Sequence, residues 1–243
     1  MNFVEKFPKI KYLVRHVRKE YFTSHVAGDL FFDTTYNLSG EAAWKNNSKG
    51  KSEKISARLQ DHMEGKASGV FSFPGSVVKD TQIGGMIIEG GTVKGNMHLS
   101  TFYNHRCVCF SIGDYNKARA LDFIARGNND LYGYVVYDAA KLIRLLYLRL
   151  ALTNQEVVAD QVRYDKSLLS KKIDGASQNR YLQNNATTWR MAMFSKPSEF
   201  MHEEEFRAII IDNPWTNLSL EAQGVLLKRV ARRAVIRSGR IVP

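Results

Sequence analysis

The stretch from Val70 to Ile112 constrains the fold most. It is a succession of short apolar segments, GVFSF, GMIIEG, GNMHLSTFY and RCVCFSI, with Gly84-Gly85 and Gly90-Gly91 between them. Runs of this length bounded by glycine pairs read as strands, and glycine supplies the positive φ that tight hairpins need. Strands joined so closely pair antiparallel, because a parallel pair needs a long crossover. A mostly antiparallel sheet is the expectation.

The rest of the chain interleaves helices with further strands. KIKYLVRHV (9–17) predicts a strand, RKEYFTSHVAGD a helix with Tyr21, Phe22 and Val26 at helical spacing and Gly28 as its stop, and LFFDTTYNL (30–38) a returning strand. Residues 45–54 form a polar, charged loop. KARALDFIARG predicts a short helix, LYGYVVYD a strand and AAKLIRLLYLRLAL (139–152) a helix. Asn and Gln enrichment from Gln178 to Asn185 predicts a flexible segment before a strand at TTWRMAMFS. The run LSLEAQGVLLKRVARRAVIRSGR predicts a helix over about 218–238, with Ser219 at its N-cap. With no internal repeat and no clear linker, 243 residues make one α+β domain, 1–243.

Near the C-terminus, MHEEEFRAIII sets three carboxylates, Glu203, Glu204 and Glu205, against an apolar run that ends at Asn213-Pro214. As a strand, it would put Glu203, Glu205 and Arg207 on one face and Glu204 and Phe206 on the other. Like charges crowded at the mouth of a buried strand call for either a solvated pairing with Arg207 or a chemical use.

Several function classes fall away. No apolar run approaches the roughly 20 residues that span a bilayer, and the N-terminal segment lacks a continuous apolar core, so neither membrane insertion nor secretion is expected. Two cysteines, Cys107 and Cys109, point the same way along a strand; they cannot staple the fold, and a reducing cytoplasm is the expected compartment. Gly50-Lys51-Ser52 lacks the first glycine of a phosphate loop, since position 45 is Lys45. The six histidines have no metal-ligand spacing, and no nucleophile elbow is present. The net charge of +11 points to polyanionic partners, set against a merely basic soluble protein.

Three segments place polar residues on otherwise apolar strands: Arg15-His16 in YLVRHV, followed by a helix and AGDLFF; Phe110-Ser111 in CVCFSI; and EEEFRAII. In this order they resemble the ADP-ribosyltransferases, especially toxin-like and nucleic-acid-modifying members. Those carry an Arg or His on the first strand, a Ser, Thr or Tyr motif on a central strand and a catalytic Glu on a late one. Where the family has a Ser-Thr-Ser triplet, Ser111 alone stands here. A related resemblance is to uncharacterised phage-defence-associated proteins with a GxLYF…CFS…E(F/W)R layout.

The resemblance implies a mostly antiparallel split sheet with flanking helices, NAD as co-substrate, and a role as toxin in a phage-defence or toxin–antitoxin system, with an antitoxin protein as partner. Breaking the nicotinamide–ribose bond develops oxocarbenium-like charge, which a fixed carboxylate stabilises. That role is given to Glu205. Glu203, about 7 Å along the same strand face, would orient or deprotonate the nucleophile. Arg15 would meet the pyrophosphate or His16 the adenosine ribose, the two lying on opposite faces of a strand. Ser111 would position the nicotinamide ribose over Phe110.

The acceptor is read from charge. Lys228, Arg229, Arg232, Arg233, Arg237 and Arg240 alternate with Val225, Leu226, Val230 and Val235 as a basic amphipathic helix suited to phosphate contacts. RNA or DNA is the expected acceptor. A nucleic-acid-binding module without catalysis is the second reading, and a solvated basic face the plain one.

Overall fold

The computed structural model describes residues 6–38, 66–78, 81–83, 86–88, 91–126, 130–164, 171–174, 189–190, 192–211, 218–219 and 222–242. The expected loop at 45–54, the turns at Gly84-Gly85 and Gly90, and the flexible segment at 178–185 lie outside these residues.

Strand β1 (Tyr12–Arg18) leads into helix α1 (Lys19–Val26) and returns as β2 (Leu30–Thr34), with the short helix α2 (Thr35–Leu38) after it. Strands β3 (Lys66–Val78) and β6 (Gly91–Phe102) form a long antiparallel pair, and β4 (Thr81–Ile83) pairs antiparallel with β5 (Met86–Ile88). Next come β7 (Arg106–Ile112), α3 (Lys117–Ala125), β8 (Leu131–Asp138) and α4 (Ala139–Ala151). Then follow β9 (Glu156–Gln161), β10 (Arg163–Tyr164) and β11 (Lys171–Asp174). The last part adds β12 (Ser195–Lys196), a 3₁₀ helix (Ser198–Glu203), β13 (Glu205–Ile211), β14 (Val225–Leu227) and β15 (Val235–Arg240). The architecture is α+β with a mostly antiparallel sheet and a few helices. Among the described pairings, β10 with β12 and β11 with β3 run parallel.

The main sheet has eight strands organised around β7. One edge of β7 pairs with β13 from Glu205↔Ser111 to Ile210↔Arg106. The other edge is shared. β1 takes its C-terminal end, through Leu13↔Ile112 and Val14↔Ser111, and β2 takes its N-terminal end, through Asp33↔Cys107 and Thr34↔Arg106. The two strands therefore leave the same edge at different points, and the sheet divides there. β8 and β15 continue beyond β1, β14 beyond β2, and β9 beyond β13.

Side chains alternate along each strand, so the register assigns them to two faces. One face carries Leu13, Phe32, Val108, Phe110, Tyr137, Phe206, Ala208 and Ile210, and it is closed by Leu142, Ile143, Leu146 and Leu150 of α4. Those four positions recur at the spacing of one helical stripe. The helix starts where the Asp138 carboxylate accepts the Lys141 backbone N–H at 2.9 Å. Each such side chain removed from water contributes about 1.5–3 kcal/mol. The opposite face holds a smaller cluster of Cys107, Ile209, Ile211, Trp189, Met193 and Phe194.

The structure corrects three expectations. The C-terminal helix over 218–238 is absent among the described residues: Val225–Leu227 and Val235–Arg240 are strands, and 228–234 are turns. Val225, Leu226 and Leu227 pair with Phe32, Phe31 and Leu30, and a Cβ on Gly224 would lie 2.4 Å from the Phe31 ring. Close strand pairing outweighs the helical spacing of the cations, and Arg229 at φ 55 breaks any helix there. Among the described residues of TTWRMAMFS, expected as a strand, Ser195 is in a strand (Ser195–Lys196), and Trp189, Arg190, Ala192 and Met193 are helical. The strand at LFFDTTYNL ends at Thr34, where the Asp33 carboxylate accepts the Thr34 N–H at 2.8 Å and the chain turns into α2.

Candidate functional site

β13 is buried along its whole length because it runs between β7 and β9. Phe206, Ala208 and Ile210 face α4, so Glu205 and Arg207 face the other side, where they are 4% and 0% exposed. Burying either charge alone would be costly, which is why they are paired. Arg207 Nε donates to Glu205 Oε1 at 2.5 Å, Nη2 to Oε2 at 3.3 Å, and Nη1 to the Met193 carbonyl at 2.6 Å.

A second cation completes the cluster. Lys196 Nζ lies 2.8 Å from Oε2 of Glu205 and 2.8 Å from Oε2 of Glu203. The Glu205 backbone N–H donates to the Tyr164 hydroxyl at 2.8 Å. Burial opposes the charge on Glu205, but Arg207 and Lys196 together outweigh it and hold the carboxyl well below the usual range. Glu203 goes the other way: burial raises its pKa, and the charge of Glu205 adds to the rise against the pull of Lys196. Burial and Glu205 also raise the Tyr164 phenol. The Cys109 thiol stays protonated through its hydrogen bond to Cys107, burial and the Glu205 charge.

Glu203 and Glu205 therefore meet, but not as alternate residues of a strand. Glu203 ends the 3₁₀ helix, and Glu204 turns the chain at φ 43, a left-handed conformation uncommon for a residue with a side chain. That turn lets the Glu204 carbonyl accept the Ile112 N–H at 2.8 Å. The Glu204 carboxylate pairs with Arg119 of α3, whose Nη1 also donates to the Ile112 carbonyl at 2.8 Å.

The register sorts the remaining residues. Glu205, Ser111 and Val14 form one row across β13, β7 and β1. His16, two residues beyond Val14, shares their face, where its ring meets Phe123 edge-on at 5.0 Å and lies 6.4 Å from Tyr115. Burial and then Arg119 lower its pKa to about 4, so it is neutral near pH 7. Arg15 and Phe110 occupy the opposite face, with the Arg15 guanidinium 5.9 Å from the Phe110 ring and Nη1 3.5 Å from the Cys109 carbonyl. Glu203, Glu205, Ser111 and His16 thus gather on one side of the sheet, and Arg15 and Phe110 do not join them.

No family model, curated protein or solved structure matches the chain.

The cations lie elsewhere. Lys228, Arg229, Arg232 and Arg233 are exposed on a turn whose Ala231 and Ala234 pack into the α4-side core. The turn is clamped to the end of α1: the Ala231 N–H donates to the Gly28 carbonyl at 2.8 Å, and the Arg229 N–H to Asp29 Oδ1 at 2.7 Å. Arg237 of β15 pairs with Asp114, and Arg240 lies 5.3 Å from the Tyr132 ring.

Sequence reading missed Lys196, Tyr164 and Arg119, which come from separate segments and carry no local motif. Arg207 had a signal, since alternation placed it on the Glu205 face, but its role there is internal and not solvated.

Proposed function

We propose that the chain is an NAD-dependent mono-ADP-ribosyltransferase whose acceptor is nucleic acid. The observation that carries the reading is the row Glu205–Ser111–Val14. It brings the three sequence segments that resemble the family onto adjacent strands, with Glu205, Ser111 and His16 on one face.

The electrostatics support the same roles. Glu205 is held ionised by Arg207 and Lys196 and fixed by three protein contacts, and in this reading it is the fixed carboxylate that would face a developing oxocarbenium. Glu203 has a raised pKa beside it, the property that suits a proton acceptor for an incoming nucleophile. Ser111 would hydrogen-bond the nicotinamide ribose and His16 the adenosine ribose. The exposed cations of the 228–234 turn favour RNA or DNA as acceptor through phosphate contacts. A neutralising antitoxin partner belongs to this reading.

A nucleic-acid-binding module without catalysis is the second reading, favoured by that same turn lying on the far side of the sheet from Glu205. Incubating the protein with NAD labelled in the adenylate portion, together with RNA, DNA and protein fractions, separates the two. Label in a nucleic-acid fraction with release of nicotinamide is expected. Nucleic-acid binding with neither leaves the module reading.

A further inference from the structure

The Arg15 side chain, one of the two first-strand candidates for contacting NAD, enters the α4-side face at the point where β1 and β2 part from β7. Its surroundings there are unusual for a guanidinium. It has five donor N–H groups and makes one long hydrogen bond, 3.5 Å to the Cys109 carbonyl. Among the described residues it forms no ion pair. The acid acting on it is Asp33, whose Oδ1 is engaged by Thr34 N at 2.8 Å and Asn37 Nδ2 at 2.7 Å.

Two further polar groups lie within electrostatic reach of Arg15, Tyr137 through the strand register. Tyr137 sits opposite Leu13 in the β1–β8 register, so it is the diagonal neighbour of Arg15 on the same face. It is 0% exposed, and its hydroxyl has no hydrogen-bond partner. His25, on α1, is 6% exposed, and its Nδ1 has none either. Arg15 acts electrostatically on both, drawing down the pKa of each against or along with burial. A cation with no ion-pair partner among the described residues, near two buried polar atoms that bond to nothing in the protein, is costly unless an anion completes it. Arg15 as a whole residue is half-buried.

We infer that Arg15, His25 and Tyr137 form a binding site for a small oxyanion of the phosphate class, in the division of the sheet and on the opposite face from Glu205. The guanidinium supplies the charge and a planar fork of donors. The Tyr137 hydroxyl donates a further hydrogen bond, and neutral His25 donates through Nδ1 in the corresponding tautomer. The site does not depend on ADP-ribosyl transfer. The phosphate group comes either from a free ion or from a nucleotide.

Calorimetric titration of the full chain with inorganic phosphate, pyrophosphate and ADP-ribose, at constant ionic strength set by chloride, tests this. The wild type is expected to bind saturably, and Arg15→Met to weaken binding by at least about tenfold. Tyr137→Phe keeps the shape and removes the hydroxyl, so it should weaken binding while folding normally by circular dichroism. ADP-ribose binding far more tightly than phosphate identifies a nucleotide ligand; equal affinity identifies the free ion. Either result supports the site. Unsaturable binding, or binding equal in wild type, Arg15→Met and Tyr137→Phe, assigns the phosphate to surface cations and overturns it. Absent nicotinamide release with intact, Arg15-dependent phosphate binding would sink the transferase reading alone.

Discussion

Lys196 donates to Glu205 across 2.8 Å on a sheet face where both side chains are almost wholly buried. The same ammonium holds Glu203, so one cation tethers both carboxylates of the candidate site. Removing it leaves two buried acids with Arg207 as the remaining cation on Glu205. Lys196→Met is expected to destabilise the fold by on the order of 3 kcal/mol, the usual cost of breaking a buried pair from one side. A urea midpoint unchanged from wild type would show that the cluster is hydrated and loosely held.

The same reasoning revises the obvious active-site variant. Glu205→Gln leaves Arg207, 0% exposed, with its charge uncompensated. This variant should lose stability along with any activity, so its inactivity alone would not assign chemistry. Ser111→Ala, which removes one hydroxyl opposite Glu205, is the cleaner probe and should retain a wild-type melting temperature within a few degrees.

The two acids predict opposite slopes of stability with pH. The folded pKa of Glu205 lies below its unfolded value, so its contribution is complete above the ordinary carboxylate range and is lost as pH falls from that range through the depressed folded value. The folded pKa of Glu203 lies above its unfolded value, so its ionisation weighs against the fold as pH rises from the ordinary range through the raised value. Glu203→Gln should therefore gain stability relative to wild type as pH rises across that window. Denaturation midpoints of the two proteins from pH 4 to 8 check this; a difference that does not vary with pH would contradict the raised pKa.

Much of this framework was legible in the sequence, and the failures have identifiable causes. Alternation and apolar content located β1, β7, β8 and β13, and the stripe in 139–152 located α4, because in each the local preference and the tertiary environment agree. Glu203 and Glu204 were misplaced since nothing local announces a left-handed non-glycine residue; Glu204 is held there by Ile112 and Arg119, both distant in sequence. The C-terminal cations do have helical spacing, but Val225–Leu227 gain more by pairing with β2. Lys196 was invisible for a related reason. A lysine before a proline is ordinary until the fold sets it between two glutamates.

Gly28 links the fold to the cationic turn. It sits at φ 88, and a Cβ there would lie 2.1 Å from the backbone nitrogen of Arg232. Gly28→Ala must strain the left-handed turn and push the 228–234 segment off α1, at a cost of about 1–3 kcal/mol or more. Both stability and nucleic-acid affinity should fall together. Loss of stability with affinity intact would mean that the cations act without the clamp.

Arg229, Arg232 and Arg233 test the acceptor side. Their guanidinium groups are exposed and separate from the Glu205 cluster. Replacing all three by Gln should weaken nucleic-acid binding and flatten the log–log salt slope by about two to three units, if each neutralises one phosphate. NAD hydrolysis by water should be unaffected. An unaltered slope between 50 and 200 mM salt (an experimental range of about fourfold) would return the turn to a solvated surface.

The central claim is that the Glu205–Ser111 row is the seat of chemistry on NAD. Its most direct test is nicotinamide release and adenylate-label transfer, measured side by side for wild type, Ser111→Ala and Glu203→Gln in the presence of RNA or DNA. The account predicts release and transfer by wild type. It predicts transfer reduced about 10²-fold or more when Glu203 cannot act as base, and both reactions impaired when Ser111 cannot hold the ribose. Wild-type protein that binds nucleic acid but releases no nicotinamide, or variants that match it in both reactions, would contradict the claim.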